Sequence, residues 1–302
     1  MEIIRKLTPV GTKTSVALGY FDGMHRGHRE IMSQTVEYAK RMRLRSTVFT
    51  FDFSLLRPGD KGRFDLFSKE EKYTEMERLG IDLIVEVPFS DIRDMSGRDF
   101  IVKVLGHGCL NAAVVSCGED FRFGKGRDSG TDTMERLAGS RGIRVNTVPF
   151  VIDNGIISTT RIKRLVANGN LSAASSLLGR SYLISAPAVN KAIGVGINFS
   201  SVSQKLDESY QLPKFGVYTS RVKICSIWQD SITYVGSRPS KSGEGIFADT
   251  NIFCLNGQLY KESFIDVELL RLVRNEETFE DLSALKTAIS LDISRARMRI
   301  HE

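Results

Sequence analysis

Two histidines and three glycines fall within residues 19–28, called here the 19–28 segment. His25 and His28 are three positions apart, so both imidazoles can lie on one side of the first turn of a helix. Glycines let the backbone turn tightly and approach a ligand, and a helix N-terminus offers free N–H groups and partial positive charge. The segment therefore predicts a phosphate site with two convergent donors. The simpler interpretation is a glycine-rich turn with two surface histidines.

This segment follows a predicted strand and precedes a helix that should begin near Gly27. Strand-like and helix-like stretches alternate through the first half of the chain. This is the pattern of a doubly wound parallel sheet, which binds ligands beyond the carboxyl ends of its strands. Ser68 and Glu71 have the spacing of a capping box. The predicted strands are 15–21, 46–51, 82–87, 112–117 and 145–150.

The sequence changes in character after about residue 183. Short segments rich in β-branched and aromatic residues, separated by turn signals such as Asn256-Gly257, predict an antiparallel barrel or sandwich at 215–228, 231–235, 251–255 and 264–272. Apolar residues at helical spacing over 278–297 predict a long amphipathic helix packed on it. We therefore expect an α/β domain at 1–183 and a smaller β-barrel domain with a C-terminal helix at 184–302.

Composition indicates an ordinary packed enzyme. The 42 basic and 36 acidic residues are interspersed, and the net charge of +6 is a mild bias toward anionic ligands without the basic block that would indicate nucleic acid. The four cysteines lack metal-ligand spacing and predict reduced thiols. No stretch approaches the roughly 18 apolar residues that span a bilayer. We expect a soluble, cytoplasmic protein with small-molecule partners, neither nucleic acid nor membrane; the oligomeric state stays open.

The 19–28 segment resembles the GxFDGxHxGH signature of the bacterial FAD synthetases, the bifunctional riboflavin kinase/FMN adenylyltransferase family, which is a form of the HxGH motif of a larger nucleotidyltransferase superfamily. Residues 115–127 are similar to the family's second glycine-bearing stretch. Residues 157–162 resemble its serine/threonine–arginine motif, which alone is a common helix opening. The resemblance implies transfer of the adenylyl group of ATP to FMN, giving FAD and pyrophosphate.

The resemblance also implies roles for individual residues. The catalytic residues would be His25 and His28, as donors to phosphate, and Arg161, as a charge clamp on pyrophosphate. The ATP-binding residues would be Gly19, Tyr20, Phe21, Asp22, Gly23, Gly27, Ser158, Thr159 and Thr160. The flavin-binding residues would be Phe51, Phe53, Asp120, Phe121 and Phe123, although core packing is the alternative for at least half of the phenylalanines.

Magnesium (Mg²⁺) would bridge the phosphate oxygens, as is usual at this charge density. No metal cage built from protein ligands alone is evident in the sequence. Asp22 is the nearest candidate acidic residue, but it would equally suit orienting the turn or meeting ribose. Three places depart from the family pattern: Tyr20 replaces a small polar residue, Asp120 replaces a common asparagine, and 51–55 lacks two prolines and a histidine.

In bifunctional members the second half is a riboflavin kinase, with a Pro-Thr-Ala-Asn run and a downstream catalytic glutamate. Aligned residues 193–199 put Ile197 and Phe199 at the threonine and asparagine positions, whereas a short gap would bring Asn198 into the asparagine place. Asp249 falls at the glutamate position and is one methylene shorter. The resemblance therefore implies a degenerate kinase site and a kinase activity that is weak or lost.

Other functions stay open at this point. The residues alone would also suit adenylyl or nucleotidyl transfer to nicotinamide mononucleotide, phosphopantetheine or choline phosphate, since only the resemblance introduces flavin. A fully bifunctional kinase and FAD synthetase is one alternative to the enzyme with a weak kinase. A flavin- or nucleotide-binding regulator without turnover is another alternative. The intact histidine pair argues against it.

Overall fold

The structure of the protein is a computed structural model that describes residues 1–53, 65–191, 201–237, 245–253 and 264–299. The chain divides into two compact units, Met1–Thr159 and Thr160–Glu302. Each unit is described by itself below. The boundary at residue 183, drawn from the change in sequence character, stays a prediction.

The first unit is built on a parallel sheet. Its described strands are β1 (Glu2–Ile4), β2 (Thr14–Leu18), β3 (Arg45–Asp52), β4 (Leu83–Pro88), β5 (Ala112–Gly118) and β6 (Arg144–Val148). They pair in the order β1-β4-β3-β2-β5-β6, and each pairing is parallel. The chain reverses direction across the sheet between β2 and β5, which is the switch point at which open α/β sheets bind ligands.

Helices connect these strands and cover the sheet. They are α1 (Arg26–Met42), α2 (Lys69–Arg78), α3 (Gly97–Asp99), which continues as a π-helix over Phe100–Leu105, and α4 (Thr131–Gly139). The capping box predicted at the start of α2 is confirmed, because the Ser68 side chain accepts from the Glu71 amide and the Glu71 carboxylate accepts from the Ser68 amide.

Burial on both faces of the sheet explains the sequence of its central strand. All five residues of β2 are buried. Val16 and Leu18 belong to one apolar layer with Phe49, whereas Ala17 belongs to the opposite layer with Met32. The apolar run over 16–18 is what a strand covered on both faces requires, and the alternating direction of its side chains assigns them to two cores.

The second unit is an antiparallel sheet with helices. Its described strands are β7 (Tyr182–Ala186), β8 (Ala188–Lys191), β9 (Ser201–Lys205), β10 (Gly216–Ile224), β11 (Ile227–Ser237), β12 (Ile246–Ile252) and β13 (Ile265–Asn275), in the order β7-β13-β10-β11-β12-β9-β8. Helix α5 (Thr159–Ala167) opens at the unit boundary, α6 (Leu171–Leu178) contacts β7 and β13, and α7 (Leu282–Arg299) contacts β10, β11 and β13. The predicted fold class, a doubly wound parallel α/β sheet followed by a smaller antiparallel β-barrel with a C-terminal helix, is confirmed, and the antiparallel sheet is a half-barrel of seven described strands.

Some predicted boundaries were wrong. The segment predicted as one strand over 215–228 is a hairpin, with β10 and β11 joined by Cys225 and Ser226 at φ 48° and 67°. These left-handed residues carry no glycine or asparagine signal, so the turn was missed. The first predicted strand ends early, at Leu18, because the left-handed turn at Phe21 leaves the sheet. The turn predicted at Asn256-Gly257 lies outside the described residues.

Among the residues that the structure describes, no helix is both long enough and apolar enough to cross a membrane.

Candidate active site

The 19–28 segment leaves the carboxyl end of β2 through a left-handed turn and enters α1. Phe21, at φ 58°, precedes a short 3₁₀ turn over Asp22–Met24, and Met24, the last residue of that turn, has φ 45°. Such a conformation is costly for residues other than glycine and is found where surrounding contacts fix it, often at ligand sites. Here Phe21 is buried in the core, and Arg29 Nε donates to the Met24 carbonyl at 3.1 Å.

Two glycines of the segment are required by the fold itself. Gly23 has φ 80°, and a Cβ atom there would lie 2.5 Å from Leu66 Cδ1. A Cβ atom at Gly19 would lie 2.8 Å from the Phe21 ring. The space that a side chain would need at both positions is thus filled by the protein's own side chains, in addition to any role in approaching a ligand. Gly27 is the second residue of α1.

The two histidines lie together at the start of α1. His25 is the N-cap of the helix, and its Nδ1 accepts a hydrogen bond from the His28 backbone amide at 3.3 Å. The two imidazoles stack, with centroids 3.6 Å apart and planes inclined by 21°, and the Phe21 ring packs edge-on against His28 at 5.3 Å. The predicted convergence of the pair is therefore present in the fold.

The environment of the pair favours neutral imidazoles. Burial lowers the pKa of His25 to about 4. Burial, followed by the charges of His25 and Lys72, lowers the pKa of His28 well below its usual value. A neutral imidazole that accepts at Nδ1 carries its proton on Nε2, so His25 can donate one hydrogen bond to an oxyanion. The buried Nδ1 of His28 has no hydrogen-bond partner among the described residues.

Asp22 organises the turn. Its carboxylate is buried, and Oδ1 accepts from the Leu66 amide at 2.8 Å. Its backbone carbonyl accepts from Thr159 Oγ1 at 3.1 Å. The second contact ties the glycine turn to the serine/threonine–arginine motif, 137 residues later in the chain. Of the roles left open for Asp22, orienting the turn is the one that these contacts support.

The remaining residues of that motif open helix α5. Thr159 is its first residue, Ser158 and Arg161 are half-buried, and Thr160 is exposed. On the neighbouring side of the turn, Arg26 Nη1 forms an ion pair with Asp153 Oδ2 at 2.6 Å. The 19–28 segment is thereby connected to the loop that precedes α5 by a charged contact as well as by the Thr159 hydroxyl.

Phe51 and Phe53 lie in an aromatic cluster at the carboxyl ends of β3 and β4. The Phe53 ring lies 4.9 Å from Tyr20 and 4.8 Å from Phe89, and Phe51 lies 6.0 Å from Phe89. Both phenylalanines are half-buried, so each offers part of its ring to a planar ligand. Tyr20 and Phe89 complete this cluster. Phe89 was not predicted from sequence spacing.

Phe121 and Phe123 follow β5. Their rings are 6.1 Å apart and nearly parallel; Phe121 is half-buried, whereas Phe123 is 5% exposed and packs on Phe100 at 5.4 Å. Phe123 is therefore a core residue that lies beside the half-buried Phe121 ring. Asp120 is exposed beside Gly118, at the carboxyl edge of the sheet.

A buried charge cluster beside the turn was missed. Lys72 is 8% exposed; its Nζ lies 3.6 Å from Glu86 Oε1 and 5.1 Å from the centre of the Tyr20 ring. Lys69 Nζ lies 2.8 Å from Asp52 Oδ2. Helical lysines are normally exposed, so the sequence signal for Lys72 was weak: it adjoins Tyr73 on the face of α2 that also buries Met76.

The second unit holds one predicted kinase residue that the structure describes. Asp249 is half-buried on β12, with its Cα opposite Tyr234 on β11 and Ser203 on β9. Ile197, Asn198 and Phe199 lie outside the described residues. The geometry of the aligned kinase segment therefore stays a prediction.

Comparison with known proteins identifies the family of the chain. The sequence pattern of the FAD synthetase family matches residues 8–161, and that of riboflavin kinase matches residues 178–300. The chain is similar to proteins named bifunctional riboflavin kinase/FMN adenylyltransferase: it is 28% identical to that of Buchnera aphidicola (97% of this chain and 96% of that protein), of Bacillus subtilis (94% and 92%) and of Escherichia coli K12 (93% and 91%).

A solved structure shares the fold. A Streptococcus pneumoniae protein, described as a macrolide-efflux protein, superposes with a TM-score of 0.85 at 24% identity, covering 98% of this chain and 99% of that one. The likeness bears on the fold alone. The family implied by the histidine segment is confirmed by the sequence patterns. The chain belongs to the FAD synthetase family, that of the bifunctional riboflavin kinase/FMN adenylyltransferases, and is a nucleotidyltransferase.

Proposed function

We propose that the 19–28 segment is the site at which the adenylyl group of ATP is transferred to the phosphate of FMN, giving FAD and pyrophosphate. The observation that carries this proposal is the stacked pair of His25 and His28 at the N-terminus of α1. An FMN phosphate oxygen attacks the α-phosphorus, and the bond to pyrophosphate breaks. The protein needs no nucleophile of its own, so its contribution is positioning and stabilisation of charge.

The residues divide this work by position. His25 Nε2 and the His28 imidazole donate to phosphate oxygens, together with the backbone amides that begin α1. A neutral imidazole can donate a hydrogen bond to a phosphate oxygen without transferring its proton to the substrate. Arg161 clamps the pyrophosphate, and Ser158, Thr159 and Thr160 supply donors beside it. The hydrogen bond from Thr159 to the Asp22 carbonyl supports this proposal, because it joins the second motif to the turn.

Magnesium enters this proposal as part of the ATP substrate. In the described part of the chain, no group of three or more His, Cys, Asp and Glu residues could hold a metal ion. The Asp22 carboxylate already accepts from the Leu66 amide, which limits it as a ligand. Phosphate oxygens and water would therefore supply the oxygen ligands that Mg²⁺ prefers. We expect the whole reaction to take place in the cytoplasm, with ATP and FMN as small-molecule partners.

The flavin ring is proposed to bind against half-buried aromatic residues at the carboxyl edge of the sheet. Phe51, Phe53 and Phe121 have ring surface to offer, whereas Phe123 is buried and supports Phe121. Asp120 is exposed at the same edge and has polar atoms available for the ring's heteroatoms. Stacking on such rings is worth about 0.5–1.5 kcal/mol for each pair beyond area burial.

We further propose that riboflavin kinase activity is weak or lost. The support is chemical: Ile197 and Phe199 offer no oxygen to magnesium where the family has threonine and asparagine, and Asp249 is one methylene shorter than glutamate. A second candidate is full bifunctionality, favoured by the match of residues 178–300 to riboflavin kinase and by the names of the relatives.

Both proposals are tested with one panel of acceptors. The purified chain is incubated with ATP and magnesium and with FMN, nicotinamide mononucleotide, phosphopantetheine or riboflavin, and pyrophosphate release is measured. In the riboflavin reaction the flavins are also separated, because a kinase would give FMN and ADP without pyrophosphate, and little or no FMN should form there. We expect release with FMN. Adenylylation of another acceptor with FMN untouched contradicts the proposed acceptor, and tight flavin binding with no pyrophosphate release indicates a regulator.

A further inference from the structure

Tyr20 departs from the family pattern, which has a small polar residue at this place in the 19–28 segment. The resemblance implies a contact with ATP there. In the structure, however, the Tyr20 hydroxyl donates to the Asp65 carboxylate. A phenol has one proton to donate, and phosphate oxygens are acceptors. A hydroxyl that is bonded to Asp65 therefore cannot also donate to a phosphate.

Asp65 is held against the turn by a second bond from the same segment. The amide of its neighbour, Leu66, donates to Asp22 Oδ1 at 2.8 Å, and the Leu66 side chain is buried against the turn. The segment thus bonds two consecutive residues, Asp65 through Tyr20 and Leu66 through Asp22. The other carboxylate oxygen of Asp65, Oδ1, is buried and has no hydrogen-bond partner among the described residues. Loss of the Tyr20 hydroxyl would therefore leave this carboxylate poorly satisfied.

The Tyr20 ring contacts a buried cation and a second aromatic ring. Lys72 Nζ lies 5.1 Å from the ring centre, within cation–π range, and 3.6 Å from Glu86 Oε1. The Phe53 ring meets Tyr20 edge to face, with centroids 4.9 Å apart and planes inclined by 78°. The Tyr20 carbonyl accepts from Thr50 Oγ1 at 3.1 Å. These contacts all lie on the side of the turn that faces β3 and α2.

Phe53 connects Tyr20 with the acceptor. It is half-buried and is one of the rings proposed to bind flavin. Its aromatic neighbours in the described part of the chain include Phe89 at 4.8 Å and Phe51 at 6.5 Å as well as Tyr20. Tyr20 carries a hydroxyl that is bonded to a carboxylate, which fixes the tilt of its ring. The orientation of Phe53 therefore depends on the bond between Tyr20 and Asp65.

We propose that Tyr20 is a positioning residue for the acceptor: its bond to Asp65 fixes its ring, and the ring holds Phe53 in the orientation that stacks on the flavin. This role rests on the proposed function of the 19–28 segment. It assigns Tyr20 to the flavin side of that site instead of the ATP side. Tyr20 acts through Phe53 and needs no contact with either substrate.

Tyr73 provides a matched control. Its hydroxyl also donates to a carboxylate, at 2.6 Å from Glu86 Oε2, and it adjoins Lys72 on α2. Its ring, however, is buried in the core layer that contains Met76 and Ile84. Tyr73→Phe therefore removes a bond of the same kind from the core, whereas Tyr20→Phe removes it from the aromatic cluster.

The test compares substitutions of Tyr20 and Asp65 in the full-length protein. The variants are Tyr20→Leu, Tyr20→Phe, Asp65→Ala, Asp65→Asn, the double variant Tyr20→Phe with Asp65→Ala, and Tyr73→Phe. The first readout is KM for FMN and KM for ATP in FAD formation. The second is the Kd for FAD by calorimetry, which needs no turnover. Circular dichroism melting confirms that each variant is folded.

In Tyr20→Leu we expect KM for FMN and Kd for FAD to rise by about threefold to tenfold, as for the loss of one aromatic pair, while KM for ATP keeps its native value. Tyr20→Phe and Asp65→Ala should each give a smaller rise. The double variant should be no worse than either, because both changes remove the same bond. Asp65→Asn keeps an acceptor oxygen and should recover the affinity that Asp65→Ala loses.

Three results overturn the proposal. One is native flavin constants in Tyr20→Leu, or a rise confined to KM for ATP. Another is a double variant in which the effects of Tyr20→Phe and Asp65→Ala multiply. The third is an equal rise in Tyr73→Phe, since a general loss of stability would then explain the effect.

Two further outcomes are separated by design. If Tyr20→Leu does not fold, the cycle of Tyr20→Phe and Asp65→Ala, which keeps the ring, decides: native flavin constants in both single variants overturn the proposal. If the native protein makes no FAD, the proposed function fails, while the Kd for FAD still decides whether Tyr20 positions the flavin side. A native chain that binds no FAD overturns both.

Discussion

The Nδ1 atom of His25 accepts a hydrogen bond from the His28 backbone amide at 3.3 Å, while the two imidazoles stack at 3.6 Å. One ring nitrogen of His25 therefore caps helix α1, which leaves Nε2 as its donor. The same stacking buries His28 against a neighbour that carries no charge at neutral pH. The structural role of His25 and its proposed chemical role thus fall on different ring nitrogens, and substitutions can separate them.

Replacing His25 by Asn or by Ala should give different results. The Asn side chain is a good N-cap and restores an acceptor for the His28 amide, but it lacks a donor where Nε2 stood. We expect His25→Asn to keep native stability and lose activity, and His25→Ala to lose both, with a stability loss of about 1 kcal/mol. Urea denaturation and FAD formation measure the two effects. Equal stability of both variants would show that His25 does not cap the helix.

His28→Ala should reduce turnover through a lost donor to the developing charge. Loss of a comparable donor costs roughly 2.7–4 kcal/mol of transition-state stabilisation. His107→Ala removes an exposed imidazole away from the segment and is the matched control. Steady-state kinetics of FAD formation should show a large fall in kcat for the first variant alone. Nearly full activity in His28→Ala would mean that its imidazole only packs against Phe21.

The free energy of unfolding should fall as the pH is lowered, because His25 is buried in its neutral form. Burial lowers the pKa of His25 from 6.5 to about 4. Between those pH values the unfolded chain binds more protons than the folded one, so stability is present above pH 6.5 and is lost as the pH falls toward 4. From this histidine alone we expect a loss of about 2 kcal/mol between pH 7 and pH 5.

Chemical unfolding at the two pH values measures this loss. His25→Asn removes the titrating group, so its loss over the same interval should be smaller. His28, whose pKa is also lowered by burial, adds to the loss in both proteins. An identical pH dependence in the native chain and in His25→Asn would contradict the assignment.

Riboflavin with ATP and magnesium should give little or no FMN. Two defects would act on separate steps. Ile197 and Phe199 would weaken metal binding. Asp249 would slow proton transfer, because a misplacement near 1 Å lowers the rate by about a hundredfold. Asp249→Glu alone should therefore leave the kinase weak, whereas the same change with Pro-Thr-Ala-Asn restored over 196–199 should raise FMN formation. Robust FMN formation by the native chain would support full bifunctionality and a metal site that uses Asn198.

Local patterns predicted much of the fold, including the turn that carries the histidine pair. The parallel strands, the start of α1 near Gly27 and the capping box at Ser68 were predictable because each depends on a few neighbouring residues. The hairpin turn at Cys225 and Ser226 was not, since left-handed residues other than glycine leave no signal. Burial of Lys72 depends on Glu86 and Tyr20, which are distant in sequence. Only tertiary packing brings such charges together.

The most direct test of the central claim uses ATP labelled at the α-phosphate or at the γ-phosphate, with FMN and magnesium. The α-label should appear in FAD and the γ-label in pyrophosphate, with both transfers reduced in His25→Asn. Absence of the α-label from FAD, or its appearance there at an equal rate in the variant, would contradict adenylyl transfer at the histidine pair.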